Sequence, residues 1–134
     1  MFFKLLNGCN FNSDSLTDEQ NQVLTTANAG HNLLITGKAG TGKSFVVNAI
    51  VKSLRKRSRR VVIVCSSGIS CTVHESKTST VHSEYALQTA DMPSEMVVQR
   101  SLSTRHALQR VATADTIILD EAGTKCVIVV TVNK

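Results

Sequence analysis

The sequence predicts an α/β fold in which a parallel sheet is flanked by helices. Three apolar runs and one helical stretch between the first two carry that expectation. Leu33-Leu34-Ile35, Val61-Val62-Ile63-Val64-Cys65 and Thr116-Ile117-Ile118-Leu119 are near-continuous and rich in β-branched residues, as strands buried on both faces are. Between the first and the second, Val46, Ala49, Ile50 and Leu54 recur at three- and four-residue steps, the spacing of a helix packed on a sheet. A strand, a helix and a strand in that order form a β-α-β unit, whose strands run parallel.

The elements follow in order along the chain. Residues 1–15 form an N-terminal extension; its opening Met1-Phe2-Phe3-Lys4-Leu5-Leu6 is apolar but breaks at Asn7 and Gly8, too short for a secretory core and without the Arg of a transit peptide. Thr17-Asp18-Glu19-Gln20 is a capping box, so a helix is expected from Thr17 to near Gly30, with Val23, Leu24 and Ala27 on its buried side. The helix after the first strand is expected to begin around Lys43. Five of the six residues from Arg55 to Arg60 are positive. That run fits a solvated helix end favoured by the helix dipole, or else a nuclear-import or phosphate-contacting patch. Residues from Ser66 to about Thr80 are rich in Ser, Thr and Gly and resist assignment, and a further helix is expected to start beside the only proline, Pro93.

Composition narrows the class. A chain of 134 residues that is 42% hydrophobic buries one core, so one domain or part of one is expected. The formal charge of +5 suits a polyanionic partner, while the 4% aromatic content and lack of Trp leave few stacking platforms for bases. Cys9, Cys65, Cys71 and Cys126 form no C-x-x-C pair, so reduced thiols are expected in place of a zinc site or disulfide framework. No stretch approaches the length of a membrane span.

Gly37-Lys38-Ala39-Gly40-Thr41-Gly42-Lys43-Ser44 matches G-x-x-x-x-G-K-[ST], with an expected strand before it and a helix after it. In such a loop the backbone amides around Gly37, Gly40, Thr41 and Gly42 turn inward to a phosphate, Lys43 meets the β- and γ-oxygens of ATP, and the Ser44 hydroxyl ligates Mg²⁺. The helix N-terminus adds its dipole. Ile117-Ile118-Leu119-Asp120-Glu121 is the expected companion. Asp120 orients Mg²⁺ through a water and Glu121 is the candidate base for the attacking water, so Lys43, Asp120 and Glu121 form the catalytic set. An acidic pair at a strand end in isolation is as readily a helix start; beside a complete phosphate loop the catalytic role is preferred.

The order of these segments resembles superfamily 1 DNA helicases of the petite-integration-frequency kind, which are 5′-to-3′ ATP-dependent DNA helicases. The similarity runs from about Leu16 to Glu121. The resemblance implies a RecA-like P-loop NTPase domain over residues 16–121, incomplete, followed by a divergent tail at 122–134. It assigns Gln20, in Leu16-Thr17-Asp18-Glu19-Gln20, to adenine; the alternative is that its amide only completes the capping box. The family's Ala-Ser-Thr-Gly-Ile-Ala-Ala loop corresponds to Cys65-Ser66-Ser67-Gly68-Ile69-Ser70-Cys71, and its Thr-x-His-Ser segment to Thr80-Val81-His82-Ser83. Ser66, Ser67, Gly68, Thr80 and His82 are thereby implied to contact single-stranded DNA, by phosphate contacts that do not read bases.

Two departures bear on activity. The family continues its Asp-Glu with Ile or Val, Ser and Met, whereas this chain reads Ala122-Gly123-Thr124-Lys125, then the β-prone run from Cys126 to Val132. The sensor strand, second RecA-like domain and phosphate-stabilising arginine of the family are also unmatched, so slow ATP turnover and no unwinding are expected of these residues alone. The complete protein is implied to couple ATP hydrolysis to DNA unwinding, with roles in DNA repair, recombination and telomere maintenance. An intracellular address is expected, nucleus or mitochondrion ahead of cytoplasm. An AAA+ type ATPase, and a non-enzymatic nucleotide- or DNA-binding module, are the other classes compatible with the phosphate loop. A chain left with an open sheet edge that aggregates is also compatible with the unusual C-terminus.

Overall fold

The computed structural model describes residues 16–38, 40–68, 71, 78–87, 92–120 and 126–132. Helix α1 (Asp18–Asn28) starts at the capping box: Gln20 N donates to Thr17 Oγ1 at 3.3 Å and Thr17 N donates to Gln20 Oε1 at 3.0 Å. Strand β1 (Leu33–Thr36) follows, then helix α2 (Lys43–Lys56) and strand β2 (Val61–Cys65). Helix α2 buries Val46, Val47, Ile50, Val51 and Leu54. Its buried stripe is therefore turned slightly from the expected one, with Val47 and Val51 inside and Ala49 half-buried at the flank. The charged run begins in the last turn of α2, where Arg55 and Lys56 meet the negative end of the helix dipole.

The stretch that resisted assignment contains a short strand β3 (Ser79–Thr80) running directly into helix α3 (Val81–Tyr85). Helix α4 (Ser94–Ser103) starts at Pro93 as expected, and helix α5 (Arg105–Thr113) leads into strand β4 (Thr116–Asp120). The short helices are tied together by polar contacts. Arg110 donates to the carbonyls of Ser83 and Glu84 at 3.3 and 3.1 Å and lies 3.7 Å from the Glu84 carboxylate, and the Ser101 hydroxyl donates to Tyr85 O.

The C-terminal run is a strand, β5 (Cys126–Thr131), and it lies inside the sheet. The order is β1-β5-β4-β2-β3, with β4, β2 and β3 mutually parallel and β5 antiparallel to both β1 and β4. The expectation of an all-parallel sheet is corrected at this one strand. Strands β1, β4, β2 and β3 share a direction, and β5 alone is reversed. The physical reason is connection length: only five residues separate β4 from β5, enough for a hairpin and far too few for the crossover that a parallel neighbour requires. The far end of β5 is fastened on both sides, since Thr131 N donates to Asn32 Oδ1 at 2.8 Å and Val132 N to Asp115 O at 2.9 Å.

Side chains alternate across the strands, so each face is fixed by register. Leu33, Ile35, Val61, Ile63, Ile118, Val127 and Val129 join α1 and α2 in one buried cluster, where burying each large side chain contributes about 1.5–3 kcal/mol. The alternate residues Leu34, Ile117, Leu119 and Ile128 are half-buried on the other face, and Val130 is 39% exposed.

This register gives a test that separates an integral strand from a loose tail. Val129→Asp places a charge in the buried cluster and is expected to abolish cooperative urea unfolding, while Val130→Asp retains it with a change within about 0.5 kcal/mol. Equal tolerance of both substitutions would mean that β5 does not pair as described.

Candidate phosphate and magnesium site

The site is built on the carboxyl edge of the sheet. Strand pairing places Ile35, Val127, Asp120, Cys65 and Thr80 in one transverse row across all five strands. Residues in one row point to the same face, so the Asp120 side chain lies on the face occupied by α1 and α2. It is 6% exposed. With β5 between β1 and β4, the end of β1 and Asp120 are two strand spacings apart, about 10 Å. Ligands in open α/β sheets bind beyond such strand ends.

The chain leaves β1 at Thr36 and turns through Gly37 to Gly42 before α2 begins. Gly40 and Gly42 both have φ of +81°, the left-handed region that costs other L-residues about 1–2 kcal/mol. A Cβ on Gly40 would meet open space, whereas one on Gly42 would come 3.2 Å from Gln20 Nε2. The first turn of α2 contains no acidic residue, and its N-cap, Gly42, has no side chain to take its amides. This end of a 14-residue helix therefore presents N–H groups and positive dipole with no built-in anion.

Two interactions shape the loop. Thr41, 8% exposed, donates its hydroxyl to Lys38 O at 2.8 Å. Lys43 turns its ammonium back into the loop, donating to Gly37 O at 2.7 Å and Lys38 O at 2.9 Å. The cation is thus held over the mouth of the amide cradle by carbonyls that do not carry charge. Ser44 follows it in the first turn of α2 and is half-buried.

These residues fit a Mg²⁺-nucleotide in donor chemistry. The cradle offers amides and an ammonium to phosphate oxygens, and the set of Ser44 hydroxyl and Asp120 carboxylate consists of the hard oxygen donors that Mg²⁺ prefers. Glu121 lies outside the described residues. Gln20 is 4% exposed and its oxygen is engaged in the α1 cap, while its Nε2 end lies against Gly42. The capping role is therefore realised, and the same amide braces the phosphate loop.

The residues expected to touch single-stranded DNA reach the same edge. Ser66, Ser67 and Gly68 are exposed directly after β2, and Thr80 pairs beside Cys65 at the end of β3. Thr80 Oγ1 caps α3, accepting from Ser83 N at 3.2 Å, and His82 is exposed on that helix. Sequence reasoning missed one feature here: that Val127 separates β1 from Asp120. Apolar periodicity announces a strand but does not say which strands it pairs with.

Gly42→Ala is expected to destabilise the fold more than Gly40→Ala. Both incur the left-handed backbone cost of about 1–2 kcal/mol, but only the first must also displace the Gln20 amide. Urea unfolding of the two variants measures this, and equal losses would show that the Gln20 brace contributes nothing.

Comparison with known proteins agrees with this fold. A family model described as PIF1-like helicase matches residues 15–127. The ATP-dependent DNA helicase PIF5 of Trypanosoma brucei brucei is 35% identical over 108 residues, which are 80% of this chain and 11% of that protein. The ATP-dependent DNA helicase PIF1 of Candida albicans is 32% identical over 108 residues, 79% of this chain and 12% of that one. The crystal structure of Pif1 helicase from Candida albicans superposes with a TM-score of 0.71 at 29% identity, covering 81% of this chain and 25% of that chain. The chain therefore spans a small part of the length of each relative. With its phosphate loop, its Asp120 strand end and the match extending over residues 15–127, this chain belongs to the PIF1-like helicase family.

Proposed function

We propose that this chain is the Mg²⁺·ATP-binding segment of an ATP-dependent DNA helicase. The observation that carries the proposal is the common edge and face. The phosphate loop before α2 and the Asp120 carboxylate sit on one side of the sheet, at the carboxyl ends of β1 and β4, which share a direction.

Each residue then has a defined task. Gly37, Gly40, Thr41 and Gly42 wrap backbone amides around the β-phosphate. Lys43 leaves the carbonyls of Gly37 and Lys38 for the β- and γ-oxygens, exchanging two neutral acceptors for charged ones. Ser44 and Asp120 would hold Mg²⁺, which would supply positive charge to offset the repulsion around the phosphates. Glu121, next in sequence, is assigned as the base that orients the attacking water. Ser66, Ser67, Gly68, Thr80 and His82 are assigned to the phosphates of single-stranded DNA, so that nucleotide and strand share one edge.

In the complete helicase this site would couple ATP hydrolysis to DNA unwinding. Roles in DNA repair, recombination and telomere maintenance, and a nuclear or mitochondrial address, follow from the same family reading. The cations from Arg55 to Arg60 are consistent with a polyanionic partner.

Equilibrium binding of a fluorescent ATP analogue with Mg²⁺ tests the core of this. Lys43→Ala is expected to weaken binding by about 10–100-fold, because charge-assisted hydrogen bonds contribute about 1.5–3 kcal/mol. Identical affinity of the parent and the variant, or no binding by a parent chain with a cooperative unfolding transition, would refute the proposal. DNA binding that survives the variant while nucleotide binding is absent from both would point instead to a DNA-binding module.

The adenine role of Gln20 is separable from its cap. Thr17→Ala removes the cap acceptor and is expected to lower stability by about 0.5–2 kcal/mol without changing the preference for ATP over GTP. Gln20→Ala is expected to lower stability and also to reduce that preference. If both variants keep the same preference as the parent, Gln20 is a capping residue only.

A further inference from the structure

We propose that the edge of the sheet opposite the phosphate loop is a second anion surface, centred on Lys56, Arg59 and Arg60, that grips the backbone of double-stranded DNA. Between Glu19 and Glu75 the sequence has eight cations and no acidic residue. Six of those cations, Lys52, Arg55, Lys56, Arg57, Arg59 and Arg60, fall within nine residues, and all six are exposed. Lys52 stands three residues before Arg55 and four before Lys56 on α2, so like charges are neighbours on the helix surface. Helix α2 contains no carboxylate to alternate with them, and a run of one sign focuses its field on an outside anion.

The fold holds this run in one shape. Helix α2 ends in a Schellman motif, in which Arg59 N donates to Leu54 O at 3.1 Å and Ser58 N to Arg55 O at 2.9 Å. Ser58, with φ of +59°, takes the left-handed position of that motif. The turn leads straight from the helix end into β2, so Lys56, Arg59 and Arg60 share one edge of the molecule. Arg60 is fixed there by its backbone: its N donates to Asp115 Oδ2 at 2.8 Å, and its carbonyl accepts from Asp115 N and Thr116 N at 2.9 and 3.2 Å. Arg57 is turned toward α1, where its guanidinium donates to Asn28 O at 3.4 Å.

Three observations choose the occupant. Every amide from Arg57 to Arg60 is bonded within the fold, whereas a nuclear-import receptor would need the run as an extended peptide. From Arg55 to Arg60 there is no apolar residue to insert into a bilayer. Nor is there an aromatic ring on which an unstacked base could lie. A duplex keeps its bases stacked inside and offers closely spaced phosphates to a surface that has only charge to give. The fourteen residues of α2 separate this edge from the phosphate loop by about 20 Å, so duplex and nucleotide would occupy opposite ends of one helix. Naming DNA rests on the function proposed above; the phosphate-binding surface rests on the charge and the turn.

The test follows the anisotropy of a short fluorescent DNA duplex titrated with the full chain, without nucleotide, over a series of salt concentrations. The parent is expected to bind with a log–log salt slope of about −3, close to one released counterion for each of the three cations. The triple variant Lys56→Gln, Arg59→Gln, Arg60→Gln is expected to bind at least about 10-fold more weakly at low salt and to lose most of the slope. The charge-keeping variant Lys56→Arg, Arg59→Lys, Arg60→Lys and the variant Lys43→Ala, at the other end of α2, are expected to bind as the parent does. A parent slope shallower than about −1, parent-like binding by a glutamine variant that unfolds cooperatively, or equal loss in Lys43→Ala overturns the surface. So does weak binding by the charge-keeping variant, and these readings decide the matter even where the glutamine variant does not fold. Tighter binding of an oligothymidylate of the same length overturns the choice of duplex, and binding to phosphatidylserine vesicles without binding to duplex replaces DNA by a membrane. Duplex binding by a chain that binds no ATP analogue refutes the nucleotide role and leaves this surface standing; the converse removes this surface alone.

Discussion

Strands β1 and β4 do not touch, and the backbone of β5 holds both. A strand inside a sheet must pair its N–H and C=O groups on two sides, because burying them unpaired costs as much as losing the hydrogen bonds. Strand β5 supplies partners to β1 on one side and β4 on the other. The position of the phosphate loop relative to Asp120 follows from that arrangement. Its reversed direction costs the site little, since what reaches the carboxyl edge is set by the four strands that share a direction. Side-chain alternation then does the rest: Val127 and Val129 enter the core beneath α1 and α2, while Ile128 and Val130 turn to the more open face.

Above this frame, the phosphate loop is held by contacts that a bound nucleotide would compete with or build on. Lys43 is parked on neutral carbonyls at hydrogen-bonding distance, so its charge is stored in the loop at modest energetic depth. Moving it onto phosphate oxygens replaces weaker acceptors by stronger ones. Gln20 connects this loop to the start of α1, with its oxygen in the helix cap and its nitrogen end against Gly42. Local helix capping and cradle geometry are therefore coupled through one side chain.

The same edge gathers groups from distant parts of the sequence. Asp120, Cys65 and Thr80 lie in adjacent strands of one row, although they belong to segments separated by loops. The candidate nucleotide site and the loop after β2 thus become neighbours. Packing of this kind lets a chemical change at one group be felt at the next without any large movement, because interior groups have little room to relax independently.

Several elements were legible in the residues alone. The capping box located α1, the glycine spacing located the phosphate loop and the start of α2, and β-branched runs located β1, β2 and β4; each signal is local, so a single sequence suffices to read it. The order of motifs was also sufficient to suggest the helicase family. Helices α3 and α5 and the two-residue β3 were not legible, because short elements carry too little periodicity and take their stability from contacts such as Arg110 with Glu84. The C-terminal run read as strand-forming but had no address, since β-propensity does not name a partner. Only tertiary structure decided that it enters between β1 and β4. Hydrogen-bond pairing between residues far apart in the chain made that choice, and with it set the face of Asp120; the packing of α1 against the start of α2 set the brace of Gln20 on Gly42.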